Sequence, residues 1–170
     1  IEPNGPWLVT GKHNYVLQTV LPEIARAIGK TLIAPIVKFV PEGSIEPVAS
    51  GHMAYAGTIS VEQATFEALL TDICRSYKAH GFLDIILLGD SGGNLNPMKE
   101  VAATVNAAWA GSGARVHFIP EYYNYADVEA FEAQHLSVGY LRIERPDAGI
   151  FEGLFGARPI KTQHAQQAVG

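Results

Sequence analysis

Ile85-Ile86-Leu87-Leu88-Gly89-Asp90-Ser91-Gly92-Gly93-Asn94 is the stretch that decides the fold. Four branched apolar residues in a row read as a strand with little exposure on either face. The run breaks into an acid, a hydroxyl and two glycines, which places polar groups at the C-terminal edge of a sheet. Open α/β folds bind their ligands at that edge.

Outward from this strand, helix-like and strand-like segments alternate. His13 to Ile28 carries Val16, Leu17, Val20, Leu21, Ile24, Ala25 and Ile28 at helical spacing, with Pro22 inside and Gly29 as the stop. Thr31 to Val40 reads as a buried strand, and Pro41 to Tyr55 as a long loop rich in Gly, Pro and Ser. Ser60 to His80 is the strongest helix; Ser60 with Gln63 fits a capping box, and Gly81 ends it. Met98 to Trp109 reads as a helix, Arg115 to Ile119 as a further strand, and Ala126 to His135 as a short helix. Such alternation predicts an α/β domain, a three-layer α/β/α sandwich with a mostly parallel sheet. Beyond Leu136 the periodicity weakens, so residues 136–170 are expected to form a loosely packed tail of one domain spanning 1–170.

The bulk composition narrows the function classes. The 170 residues are 48% hydrophobic and 17% charged, with a formal net charge of −5, as in a soluble globular domain. A mildly acidic chain without a Lys/Arg cluster argues against nucleic acid as a partner. No apolar run approaches the length of a membrane helix. The lone Cys74 excludes an internal disulfide, and its place in a helix makes it a core residue. Nothing resembles a signal peptide. The sequence begins at Ile1 without Met, compatible with a removed leader, and the compartment stays open.

Three segments concentrate chemistry. They are Glu2-Pro3-Asn4-Gly5-Pro6-Trp7-Leu8 with Gly11-Lys12-His13, then Gly51-His52-Met53-Ala54-Tyr55-Ala56-Gly57-Thr58-Ile59-Ser60, then Gly89 to Asn94. In order and approximate spacing the three together resemble the creatininase family of metal-dependent amidohydrolases, over roughly residues 1–125. That family's motifs run Glu-x-His-Gly-Pro-His-Leu with a later Asp, then Glu-His-x-x-x-Pro-Gly-Thr-Ile-Ser, then Asn-Gly-His-Gly-Gly-Asn. The chain departs from them at metal-binding positions. Glu2 keeps the Glu, but Asn4 stands for a His, His13 for the Asp, and Ser91 for the third-motif His. A late acidic motif is matched poorly by Asp147-Ala148-Gly149-Ile150-Phe151-Glu152.

The resemblance implies hydrolysis of a small amide or cyclic amide by a metal-activated water, and a homo-oligomer acting on a small molecule. Glu2, His13 and Asp90 are the expected ligands for zinc or manganese. Three ligands and an open position suffice to acidify a water. His52 is expected as acid/base or substrate contact, and the Gly92 and Gly93 amides as an oxyanion site. Glycine at both positions also permits a left-handed turn.

Two other readings stay open. A domain that has lost the two imidazoles could bind a ligand or assemble without catalysis. Alternatively, Gly89-Asp90-Ser91-Gly92-Gly93 satisfies a nucleophile-elbow pattern, with Ser91 as nucleophile and His13 or His52 as base; in the structural alternative Ser91 caps the following helix. Asn94 and Glu121-Tyr122-Tyr123, at the end of a strand, are expected to line the substrate pocket.

Overall fold

The computed structural model describes residues 1–4 and 8–123. The expected helix at Ala126–His135 and the tail from 136 lie outside them.

At the centre is a βαβ unit. Strand β1 (Asp84–Leu87) and strand β2 (Arg115–Phe118) pair in parallel, Asp84 opposite Arg115 through Leu87 opposite Phe118. The order along the chain is α1 (Lys12–Ile28), α2 (Gln63–Ala79), β1, α3 (Leu95–Ala108) and β2, with α3 as the crossover. The α/β class read from the sequence therefore stands. Among the described residues the sheet has these two strands.

One core joins the elements of this unit. Phe66, Leu70 and Cys74 of α2 meet Met98, Val101, Ala102 and Val105 of α3, together with Ile85, Leu87 and Val116 of the sheet. Burial pushes the Cys74 thiol up to about 11, so it stays protonated and behaves as a packing residue. The edge of β2 away from β1 is closed by a side chain. Asn106 of α3 donates to the Val116 carbonyl and accepts from the Val116 N–H, both at 2.8 Å.

Four local expectations are corrected. Residues 31–40 form extended chain outside the sheet: Leu32 and Phe39 are exposed, and Val40 alone is buried. No described strand lies alongside to complete a ladder. Strand β1 alternates instead of burying both faces, with Ile85 and Leu87 inside and Ile86 exposed. Helix α2 begins at Gln63 without a capping box, because the Ser60 hydroxyl is spent elsewhere. It accepts the Glu42 N–H and donates to the Gly43 carbonyl, both at 2.9 Å. Helix α3 starts at Leu95, since a 3-10 turn over Gly92–Asn94 runs straight into it and Pro97 is harmless in a first turn. Helix α1 passes through Pro22 without ending.

Candidate active site

The site is assembled at the C-terminal edge of β1 from three stretches far apart in sequence. The first is tied down by its backbone. Gly11 N–H donates to the Glu2 carbonyl at 2.9 Å, which sets Glu2 beside the first turn of α1. Gly11 has φ +76°, a left-handed conformation that favours glycine. That turn carries Lys12 and His13. The second stretch is the Asp90 turn that follows β1. The third is the loop from Pro41 to Ser60.

His13 lies between two carboxylates. Its Nε2 is 2.9 Å from Glu2 Oε1 and its Nδ1 is 2.7 Å from Asp90 Oδ2. The structure thus brings together Glu2, His13 and Asp90, arranged in a row through the imidazole. Both ring nitrogens are engaged, so the ring offers a lone pair to an ion only by giving up one of these contacts. Asn4, which stands where the family has a His, donates a long 3.4 Å hydrogen bond to Glu2 Oε1.

A second constellation shares Glu2. Glu42 Oε2 is 3.1 Å from His52 Nδ1, and Glu2 Oε2 forms an ion pair with the same nitrogen. Among the described residues, Glu2, Glu42 and His52 are the group whose ligand atoms all lie within 4.8 Å of one another. Ligand bonds of about 2.0–2.2 Å set tetrahedral donor atoms about 3.4 Å apart, within reach of a modest contraction. Among the described residues the buried Glu2 Oε2 makes no hydrogen bond beyond its ion pair with His52. A buried carboxylate oxygen facing an imidazole and a second carboxylate fits a divalent cation. Both carboxylates are buried, while the His52 side chain is 51% exposed and leaves a solvent-facing side for water or substrate.

Glu42 has no counterpart in the sequence reading, yet its position is strongly determined. Its N–H donates to Ser60 Oγ, its carbonyl accepts the His52 N–H at 2.8 Å, and Oε1 accepts from the Ile1 nitrogen at 3.1 Å. Next to it, Gly43 has φ +139°, and a Cβ there would lie 1.9 Å from the Ser50 carbonyl oxygen. The available signal was an acid directly before such a glycine, in a loop that returns to His52.

Electrostatics follow from this packing. Burial works to raise the Glu2 carboxyl, but the His13 hydrogen bond and the His52 charge outweigh it, and the net shift is downward. Burial likewise works to lower His13, but its bonds to Asp90 and Glu2 prevail and the net shift is upward. The buried Lys12 ammonium falls to about 8 through desolvation, opposed by the charges of Asp90 and Glu2. Tyr122 is pushed up to about 12 by burial and by the Asp90 charge, so its phenol stays a hydrogen-bond donor.

In the turn after β1, neither Gly92 nor Gly93 adopts the left-handed conformation that glycine permits. Their role is close approach: a Cβ on Gly92 would sit 3.4 Å from the Tyr123 ring, and one on Gly93 would sit 3.2 Å from the Pro41 carbonyl. This approach locks the Asp90 turn against the Glu42 loop. Ser91 supplies no side-chain cap, and among the described residues its hydroxyl bonds neither His13 nor His52. Asn94 is buried, and among the described residues its Oδ1 has no hydrogen-bond partner. Tyr122 and Tyr123 come to the Asp90 side of the site, and Glu121 shares their 3-10 turn.

Carboxylates and imidazoles gathered at the strand ends of a parallel βαβ unit define an α/β domain with an acid–histidine site. The family model described as Creatininase: Creatinine amidohydrolase matches residues 1–147, and the chain belongs to the creatininase family. Membership points to amidohydrolase-type chemistry. No curated protein and no solved structure matches the chain.

Proposed function

We propose that this domain hydrolyses a small amide or cyclic amide with the help of one divalent cation, zinc or manganese, held by Glu2, Glu42 and His52. The observation that carries this reading is the convergence of those three side chains beside the Glu2–His13–Asp90 row. A cation held there by Glu2, Glu42 and His52 would supply an acidified water and a polarised amide carbonyl.

The chain's own residues divide the remaining work. Glu2 belongs to both groups and couples them. Asp90 and Glu2 stabilise the charged form of His13, which makes His13 the proton donor for the leaving nitrogen once one of its N–H groups turns to substrate. In this reading His52 serves as a ligand and His13 takes the acid/base role. Tyr122 keeps its proton and can donate to the substrate. In this reading the Gly92 and Gly93 amides would be the donors to a developing oxyanion.

The test is hydrolysis of a panel of small linear and cyclic amides, assayed after chelation and after return of Zn²⁺ or Mn²⁺. Turnover that is lost on chelation, restored by metal and absent in Glu2→Gln supports the reading. Turnover that persists in chelator overturns the metal requirement. If no amide turns over while the folded protein holds metal, the domain is a binding descendant of the family.

A further inference from the structure

The two outer edges of the sheet end differently. On β2, Asn106 takes up both backbone groups of Val116. No such plug closes β1. Arg115 N–H donates to the Leu83 carbonyl at 2.6 Å and Ile119 N–H to the Leu87 carbonyl at 3.2 Å, which turns Leu83 and Leu87, and with them Ile85, toward β2. Backbone groups of successive strand residues point to opposite sides, so the N–H and carbonyl groups of Asp84 and Ile86 face away from β2. Among the described residues those groups make no hydrogen bond.

Across a cleft of about 450 Å³ from this edge runs the extended chain 31–40. From Leu32 to Phe39 no backbone N–H or carbonyl finds a hydrogen bond among the described residues; the Val40 carbonyl, taken by the Val61 N–H, is the first that does. The remaining walls are helices. Helix α1 lines the cleft with Leu17, Leu21 and Ile24, and α2 lines it with Phe66, Leu70 and Ile73. The α1 residues share one helical face, yet the one buried residue of α1 is Lys12, so that apolar stripe is left uncovered. The cleft is open to solvent, with Leu32, Ile33 and Ile86 exposed in it. Its charges, Lys30, Lys38 and Asp84, stand toward the ends of the two extended walls, where they guard an open edge against indiscriminate pairing.

Two open backbone edges on either side of one cleft, with apolar helix faces on the other walls, outline a sheet position without its strand. Extended backbone presents N–H and carbonyl groups alternately to both sides, as two facing edges require. Side chains on such a strand point alternately toward the two helices, so both of its faces call for apolar residues. We infer that the cleft receives an extended, continuously apolar peptide strand, paired with Asp84 and Ile86 of β1 on one side and with residues 32–39 on the other. Bound there, it turns the two-stranded sheet into a four-stranded one and covers the α1 stripe. The inference requires neither metal nor turnover.

The experiment adds a fluorophore-labelled peptide, six alternating valines and isoleucines with a lysine at each end, to the full chain in chelator. Saturable one-to-one binding by anisotropy is expected, with amide hydrogen exchange slowed in 32–39 and 84–86 together. N-methylation at alternate peptide residues removes the donors that face one edge and keeps the side chains. Methylating either alternate set should weaken binding at least about tenfold. Ile86→Pro removes the N–H of the open edge at a position where an edge strand tolerates proline, and should weaken binding as much. Ile86→Thr, which keeps that N–H, should stay within about threefold of wild type. The methylated peptides make the same test on the unaltered chain. Absence of saturable binding overturns the inference. Binding that ignores N-methylation, or that only one methylated set weakens, overturns it too, since the peptide then lies on no edge or on a single one. A free chain that already protects both segments in a dimer, and loses that protection on dilution, also overturns it, because a second copy then fills the cleft.

Discussion

The α2–β1–α3–β2 half and the first sixty residues are built on different principles. In the former, apolar side chains close a shared core in which Cys74 and Val116 are almost wholly buried. In the latter, Leu32, Ile33, Phe39 and Val48 are exposed, while the buried residues include Glu2, Lys12 and Glu42. The N-terminal region is organised around a polar cluster instead of an apolar one. Burial of apolar area supplies most folding free energy, so stability should reside in the α2–β1–α3–β2 half and the metal site in the first sixty residues.

Substitutions can break that comparison. Phe66→Ala, in the shared core, should cost about 3–5 kcal/mol in denaturant unfolding. A loss under 1 kcal/mol would show that the core is not where stability resides. Gly43→Ala should cost less in stability, about 1–3 kcal/mol. Its main effect should be on the site, because a Cβ driven at the Ser50 carbonyl displaces Glu42 from His52. Metal affinity measured by titration should fall at least tenfold.

The pH dependence of the metal-free protein sharpens the contrast. The Glu2 carboxyl is lowered from 4.5, so its contribution is present above 4.5 and fades as pH falls through the lower folded value. His13 is raised from 6.5, so its contribution is complete below 6.5 and fades as pH rises through the higher folded value. Both are present between 4.5 and 6.5. The gap in denaturation midpoint between wild type and His13→Gln should be widest in that window and close as pH rises through the raised folded value of His13, with Phe66→Ala unaffected by pH. The smallest effect belongs to the exposed run: Phe39→Ser should change stability by no more than about 0.5 kcal/mol.

Legibility in the sequence followed the same division. The helices and both strands of the core half could be read because periodicity records which side chains are buried; α2 at Gln63–Ala79 differs from expectation only at its ends, while β1 at Asp84–Leu87 differs also in its alternating burial. In residues 31–40 the same hydrophobicity misleads, since a strand needs a partner edge that sequence does not display. Glu2, His13 and Asp90 could be singled out from their motifs, and the structure puts all three in one row. Glu42 was missed, because its place depends on long-range bonds to Ser60 and His52, and its local signal, an acid before a glycine, is shared by ordinary loops. The pairing of His52 with two carboxylates arises in the same way.

In the proposed site Glu2, Glu42 and His52 hold the metal, and Asp90 serves His13. Metal content and Zn²⁺ affinity of wild type, Glu42→Gln and Asp90→Asn, measured side by side on folded protein, test it most directly. One divalent ion per chain is expected in wild type, with an affinity at least tenfold weaker in Glu42→Gln and within about threefold of wild type in Asp90→Asn. Loss of metal in Asp90→Asn with retention in Glu42→Gln would contradict it, as would a wild-type chain that binds no divalent ion.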